Sequence, residues 1–187
     1  RPISFYERAL ELQRQYAKGR HIDNCIQTNG TLLNDEWCRF FKENNFLVGV
    51  SIDGPQHFHD IYRCKSFEKV MRGIELLNKY DVQWNAMAVV NNLNVEYPLE
   101  FYRFFRDTLN CRFLQFTPIV ERYDASGMLV AGLHEGGKLT ATSVTVEQWG
   151  RFLCEIFDEW VRNDVGEMFV QLFDATLANW CGVPPGI

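Results

Sequence analysis

The sequence predicts an α/β domain with a parallel sheet, assembled from right-handed strand–helix–strand units. Three observations lead to that class. Short apolar runs, above all Phe46-Leu47-Val48-Gly49-Val50-Ser51-Ile52, suit parallel strands covered on both faces. Stretches with helical apolar spacing alternate with these runs through residue 121. Neither G-x-G-x-x-G nor G-x-x-x-x-G-K occurs, so a doubly wound dinucleotide or P-loop sheet is the weaker alternative to a barrel or open half-barrel.

The elements follow in order. Ser4 and Glu7 have capping-box spacing, and Phe5, Ala9, Leu12 and Tyr16 mark the expected buried face of a helix to about residue 17. Lys18-Gly19-Arg20 ends it. A strand over 22–28 closes at the turn pair Asn29-Gly30. Asn34 or Asp35 caps a second helix whose apolar side is Trp37, Phe40 and Phe41. The second strand, 46–52, breaks at Asp53-Gly54-Pro55. A helix over 67–80 carries Val70, Ile74 and Leu77 on one side, and a third strand runs 82–90. Pro98 fits the first position of a helix through 109, with Leu99, Tyr102, Phe105 and Leu109 facing inward. The fourth strand spans 113–120, and Pro118 should bend its last part. Residues 122–143 are polar and glycine-rich (Gly127, Gly132, Gly136, Gly137), which predicts a mobile loop or an insertion at a functional edge. Thr145 and Gln148 cap an amphipathic helix with Val146, Trp149, Leu153, Ile156 and Trp160 on its buried stripe. A shorter apolar helix covers about 170–180.

Composition narrows the function classes. Hydrophobic residues are 47%, aromatic residues 14% and charged residues 23%, enough apolar material for a packed core and too little charge for a disordered chain. A formal charge of -5 gives no bulk argument for nucleic acid or an anionic membrane as partner. No apolar run approaches the roughly 18 residues of a membrane span. The chain opens Arg1-Pro2-Ile3-Ser4, with neither an initiator Met nor a signal-peptide pattern, so a start inside a longer protein or after processing is expected. The six cysteines, at 25, 38, 64, 111, 154 and 181, form no C-x2-C or C-x3-C pair. Cys38, Cys111 and Cys154 sit among aromatic and aliphatic neighbours and read as buried thiols, and a reducing cytosol is the default compartment.

In a parallel β/α fold, ligands bind beyond the carboxyl ends of the strands. Polar residues collect at those ends: Gln27, Thr28 and Asn29, then Ser51 and Asp53, then Asn91 and Asn92, then Gln115, Thr117 and Glu121. Each alone could be a turn or bend residue; their repetition suits a polar ligand. His57 and His59 are two apart, unlike a helical metal pair, and read as surface or capping residues in a loop after Pro55. His21 and His134 fall in linkers. Asp174 is the single carboxylate of an apolar stretch, 169–177, where burial would raise its pKa; a solvent-facing or capping role stays open.

Three segments together carry a resemblance: Gln27-Thr28-Asn29-Gly30-Thr31-Leu32, residues 46–55, and Phe113-Leu114-Gln115-Phe116. They resemble the anaerobic sulfatase-maturating enzymes, radical S-adenosylmethionine (SAM) enzymes with a C-terminal SPASM domain. The first two are shared widely among radical SAM proteins with such domains; the third, with the segment around Asp174, points more narrowly to sulfatase maturation.

The resemblance implies a partial (β/α)6 barrel, incomplete at its N-terminus, with C-terminal helices leading to an absent SPASM domain. Residues 1–121 would be barrel, 122–144 a loop or insertion, and 145–187 a helical link. It implies oxidation of a Cys or Ser side chain in a sulfatase to Cα-formylglycine, with SAM and [4Fe–4S] clusters as cofactors. The family's C-x3-C-x2-C motif and Gly-Gly-Glu segment would precede Arg1 and its auxiliary-cluster cysteines would follow Ile187, so this segment alone is expected to be inactive. The loop 61–66 is shorter than the family's, and Cys64 takes no role. By the same resemblance Ser51 binds the ribose hydroxyls, Asp53 supports that rim, Arg63 meets the methionine carboxylate and the Leu114 main chain meets the adenine. Asn29 joins the cofactor side, Gln27, Thr28 and Gln115 face the substrate, and Asp174 is the catalytic base. Local pairing or capping by Asp53 and Arg63 is the alternative. Implied partners are an unfolded or nascent sulfatase polypeptide and an electron donor such as flavodoxin or ferredoxin, in the cytoplasm. The competing functions are another peptide-modifying SPASM enzyme, making a thioether cross-link or an epimerised residue, and a non-catalytic binding or regulatory module.

Overall fold

A computed structural model describes residues 1–124, 126–130 and 137–184. Gly132, His134 and Gly136 lie outside the described residues, as do 185–187. The elements are α1 (Ile3–Tyr16), β1 (Asn24–Thr28), α2 (Asp35–Glu43), β2 (Phe46–Ser51), α3 (Gln56–Tyr62), α4 (Phe67–Lys79), β3 (Trp84–Val90), α5 (Pro98–Arg103), β4 (Phe113–Pro118), β5 (Arg122–Tyr123), β6 (Leu129–Val130), β7 (Lys138–Leu139), α6 (Val146–Asn163), β8 (Phe169–Val170) and α7 (Gln171–Trp180). The chain is α/β with parallel strands, as the sequence predicts. It forms two compact units, Arg1–Val50 with Glu68–Trp84, and Ser51–Phe67 with Asn85–Ile187.

In the first unit β1 and β2 pair in parallel, from Asn24 opposite Phe46 to Thr28 opposite Val50. The crossover helix α2 is capped by Asn34, whose side chain accepts the Trp37 N–H, and buries Cys38, Phe40 and Phe41. Helix α4 buries Val70, Gly73, Ile74 and Leu77. Its Gly73 sits so near the β1 turn that a Cβ there would lie 2.4 Å from the Gly30 carbonyl oxygen. Helix α1 differs from expectation. Its N-cap is Pro2, and Ser4 lies inside the first turn without capping it. Phe5, Leu12 and Tyr16 are exposed, while Leu10 is buried and Tyr6 meets Trp37 edge-on at 5.6 Å. Both stripes are apolar, and the aromatic side of α2 selects the one through Tyr6.

In the second unit β3, β4 and β8 pair in parallel, with Ala86 opposite Leu114 and Leu114 opposite Val170. Strand β8 is only two residues long, too short to leave a periodicity, and the sequence reading merges it with the following helix. Helix α5 begins at Pro98, as expected, and continues as a π-helical turn, Phe104–Thr108. The wider turn leaves Tyr102, Phe104 and Phe105 all buried and places Arg106 against Glu159 and Asp164 at 2.8 and 3.1 Å. The expected capping box of α6, Thr145 with Gln148, is present. Val146, in its first turn, is 84% exposed, and Phe152 joins Ile156 and Trp160 in the core instead. Cys154 on this helix is exposed, contrary to expectation, because it lies off that stripe. Strands β5, β6 and β7 form a small antiparallel sheet within the glycine-rich connection.

Pro55 starts helix α3 where the sequence reading places a loop. Gly54 makes that entry possible: its φ is +90°, and a Cβ would lie 2.7 Å from the Phe101 ring. Gly127 has a similar φ of +84° with open space around it. Gly54→Ala is expected to destabilise the intact protein by about 2–4 kcal/mol, from backbone strain plus overpacking. Gly127→Ala should cost about 1–2 kcal/mol from the backbone alone. Comparative unfolding of the two variants checks this, and equal losses would refute the steric account.

Candidate functional site

The polar residues predicted at the strand ends separate into those already committed to local structure and those left open. In the first unit, the Thr28 hydroxyl accepts the Gly30 N–H at 3.1 Å. The Asn29 side-chain oxygen accepts the Thr31 N–H and hydroxyl at 3.2 and 2.9 Å. Both shape the turn after β1, as Asx and ST turns do. Gln27, just before them, is exposed.

In the second unit the polar centre is Asp53, 3% exposed. Strand β2 ends at Ser51, and the Ile52 N–H still donates to the Met87 carbonyl at 3.1 Å. One step on, the Asp53 carboxylate substitutes for the missing strand and accepts the Val89 N–H at 2.9 Å. The same carboxylate takes the Arg63 guanidinium bidentately, Nε to Oδ2 at 2.6 Å and Nη2 to Oδ1 at 3.1 Å. Asp53 and Arg63 therefore do pair locally. A guanidinium has five N–H donors, and side-on pairing uses two of them, leaving the end-on edge. The Arg63 side chain is 30% exposed and has no other hydrogen-bond partner among the described residues.

His59, for which the sequence offers a surface or a capping role, lies beneath this pair and is 1% exposed, so the surface position is excluded. Its Nδ1 accepts the Asp53 N–H at 3.2 Å, and its Nε2 lies 3.0 Å from the Ser66 hydroxyl. A main-chain N–H can only donate, so Nδ1 carries no proton and the ring is the neutral Nε2–H tautomer. Burial pushes the imidazole pKa down; the nearby Asp53 and Asp60 oppose that and Arg63 reinforces it. The signal missed in the sequence is that 56–62 is helical, which turns Phe58 and His59 inward together. His57, by contrast, is a surface residue, 3.2 Å from Glu100.

Ser51 is half-buried, and its hydroxyl has no hydrogen-bond partner among the described residues. Leu114 has a buried side chain and lies between Ala86 and Val170 in the ladder, with Gln115 half-buried beside it. Asp174 lies in the first turn of α7, which leaves directly from β8. Its neighbour Phe173 packs on Phe157, Trp160 and Phe116 at 5.3, 5.5 and 6.3 Å. Asp174 Oδ2 is buried with no hydrogen-bond partner among the described residues. Burial raises this carboxyl's pKa, against weaker opposing hydrogen bonds from the main chain at Val170 and Asp174. A buried acceptor of this kind can take one proton donor beyond those the described residues supply.

These residues fit SAM and do not fit an iron–sulfur cluster. The open Ser51 hydroxyl matches a ribose, and the free edge of Arg63 matches an amino-acid carboxylate. Among the described residues no group of three or more His, Cys, Asp or Glu could hold a metal ion, and the six cysteines are unpaired. No described helix is long and apolar enough to cross a membrane.

The raised pKa of Asp174 has a stability consequence. The folded state binds its proton more tightly than the unfolded chain, so stability is fully present below the unfolded pKa and falls as pH rises through the folded one. Asp174→Asn is expected to raise the thermal midpoint at neutral pH, with the gain shrinking towards the ordinary carboxylate range. Thermal unfolding across that range checks the sign; a lower midpoint at neutral pH would contradict it.

The Radical SAM superfamily pattern matches residues 3–105. The chain is 62% identical to a serine-type anaerobic sulfatase-maturating enzyme of Bacteroides thetaiotaomicron, over all of this chain and 47% of that protein. It is 34% identical to a cysteine-type enzyme of Clostridium novyi, over 98% of this chain and 48% of that one. The solved structure of native anSMEcpe with bound AdoMet and Cp18Cys peptide superposes with a TM-score of 0.83 at 30% identity, covering 99% of this chain and 51% of that one. The chain thus spans about half the length of the relatives it matches. With its parallel β/α units and its strand-end residues suited to SAM, the chain belongs to the radical SAM superfamily.

Proposed function

We propose that the protein containing this chain oxidises a Ser or Cys side chain of a sulfatase polypeptide to Cα-formylglycine. The observation that carries this reading is Asp174, a carboxylate in apolar surroundings with one buried oxygen unpartnered. Its support is the likeness to sulfatase-maturating enzymes of both the serine and the cysteine type, together with the peptide held by the related solved structure.

In this reading Ser51 holds the ribose of SAM, the free edge of Arg63 holds its carboxylate, the Leu114 main chain meets the adenine, and Asp53 keeps Arg63 in place. When bound, SAM supplies a 5′-deoxyadenosyl radical that takes one hydrogen atom from the substrate β-carbon. The substrate hydroxyl or thiol proton passes to Asp174 as the second electron leaves to an acceptor outside this chain, giving the aldehyde from Ser directly and a thioaldehyde from Cys, which water then hydrolyses to the aldehyde with release of hydrogen sulfide. Phe173 beside it, packed on Phe116, Phe157 and Trp160, keeps the surroundings of the carboxylate apolar until a substrate donor arrives. Asn29 belongs to the cofactor side and Gln27, Thr28 and Gln115 to the substrate side. Residues 1–121 contribute barrel, 122–144 an insertion, and 145–187 the link to an auxiliary-cluster domain. An electron donor such as flavodoxin or ferredoxin, and a cytoplasmic setting, complete the reading.

The test uses the full-length enzyme with its clusters reconstituted and Ser and Cys peptides as substrates. Asp174→Asn should still form 5′-deoxyadenosine with peptide bound, while formylglycine yield falls about 10²-fold or more. Near-normal yield removes Asp174 from the mechanism. Ser51→Ala should weaken SAM binding about three- to tenfold, the value of one lost hydrogen bond; unchanged affinity rejects that assignment. Intact-mass analysis separates the rivals, since formylglycine from Ser loses two hydrogen atoms, epimerisation leaves mass unchanged, and a cross-link retains sulfur.

A further inference from the structure

Arg63 stands on a segment that has little else to hold it. It follows the last residue of α3, and the next two residues, Cys64 and Lys65, both have positive φ, at 51° and 53°. Non-glycine residues adopt that conformation only where surrounding contacts impose it. A single side chain reaches both flanks of this segment. His59 Nδ1 accepts the N–H of Asp53, the residue whose carboxylate grips Arg63. His59 Nε2 donates to the hydroxyl of Ser66, whose own N–H closes the turn back on the Arg63 carbonyl at 3.1 Å. The main-chain carbonyl of His59 also accepts the Arg63 N–H at 3.0 Å. The ring is packed edge-on against Phe67 at 5.9 Å, so it cannot turn away without opening the core.

We propose that His59 is a positioning residue for cofactor binding: as the neutral Nε2–H tautomer it clamps Asp53 and Ser66 together, so that Asp53 holds the side-on edge of Arg63 and turns its end-on edge outward for a carboxylate. This rests on the reading of Arg63 as the residue that meets the carboxylate of SAM. A buried imidazole joined at both nitrogens is a costly way to fill space, and an apolar side chain of that volume would pack as well. Its use here is the alignment of one guanidinium. The side-chain arm to Asp53 matters more than the volume. An Asn at this position places an acceptor close to where Nδ1 sits but leaves a larger void. A Gln reaches towards Nε2 and fills more of the volume, but places no acceptor at Nδ1.

The test measures SAM affinity by equilibrium dialysis on the full-length enzyme with its clusters reconstituted, with the thermal midpoint and the peptide KM recorded beside it. His59→Gln should weaken SAM binding about tenfold while peptide KM stays within about twofold, and His59→Asn should stay within about threefold of the parent. A space-filling role predicts the reverse order, and finding that order overturns the proposal. In an Arg63→Lys background, His59→Gln should cause no further loss, because the clamp acts through the guanidinium. An equal loss in both backgrounds also overturns it. If Arg63→Lys alone leaves SAM affinity unchanged, the underlying reading of Arg63 fails; if it weakens binding and His59→Gln does not, only the His59 proposal fails. Ser66→Ala removes the Nε2 arm from a half-buried position and covers the case in which His59→Gln does not fold. It should weaken SAM binding about threefold, and no change there overturns the proposal by itself.

Discussion

A parallel strand that stops leaves its neighbour's main-chain groups without partners, and buried N–H groups of that kind must be satisfied. After β2 the ladder continues once through the main chain, from the Ile52 N–H to the Met87 carbonyl. It then continues through a side chain, with the Asp53 carboxylate standing where the next carbonyl would be and accepting the Val89 N–H. That substitution holds a full negative charge at the strand end, where a neutral carbonyl would otherwise stand. Arg63 neutralises it, and His59 fixes the main chain from which it projects. One carboxylate thereby ends the strand, organises helix α3 and aligns a cation at the rim. The Gly54-Pro55 corner follows from the same need, since the chain must turn sharply against Phe101 immediately after Asp53.

The opposite electrostatic solution operates at Asp174. Among the described residues no cation pairs with it, and the neighbouring Phe173 is enclosed by Phe116, Phe157 and Trp160. Desolvation without a counter-charge favours the protonated acid and leaves an ionised form that gains strongly from any proton donor brought to it. The aromatic cluster around Phe173 is itself held by polar ties. Trp160 Nε1 donates to the Met168 carbonyl at 2.7 Å, and the Tyr102 hydroxyl donates to Asp164 at 2.8 Å. Its own burial first, then the hydrogen bond to Asp164 and that group's charge, push the Tyr102 phenol well above its usual range, so that donor stays protonated at any working pH. The two carboxylates of the site thus differ by environment alone: Asp53 accepts three donors, and Asp174 Oδ2 has none among the described residues.

Much of this was legible in the residues. The apolar run at 46–52 marks a strand covered on both sides, and Val48, Val50 and Ile52 are indeed wholly buried. Pro98, Asn34 and the Thr145–Gln148 pair act through local rules that do not depend on the fold, and each sits where those rules put it. The misplacements have a common cause. Phe5, Leu12 and Tyr16 form as good an apolar stripe as Tyr6 and Leu10, and only the aromatic face of α2 decides between them. Helix α3 spans seven residues and β8 two, below the length at which a period can be read. The burial of His59 is hidden with α3, because a histidine in a loop carries no expectation of burial.

By itself the sequence determined the class of the fold, the order of its strands and helices, and the polar character of the strand ends. Those properties follow from hydrophobic period, caps and breakers, each of which acts over a few residues. Only the tertiary structure decided which polar groups were consumed and which remained. Thr28 and Asn29 are spent on a turn, Asp53 is shared between a strand and a guanidinium, Ser51 keeps its hydroxyl open, and Asp174 is left with an unpartnered oxygen. Satisfaction of a donor or acceptor depends on partners tens of residues away, such as Val89 for Asp53. No local pattern encodes that distance, because it is set by how β2 and β3 end in space.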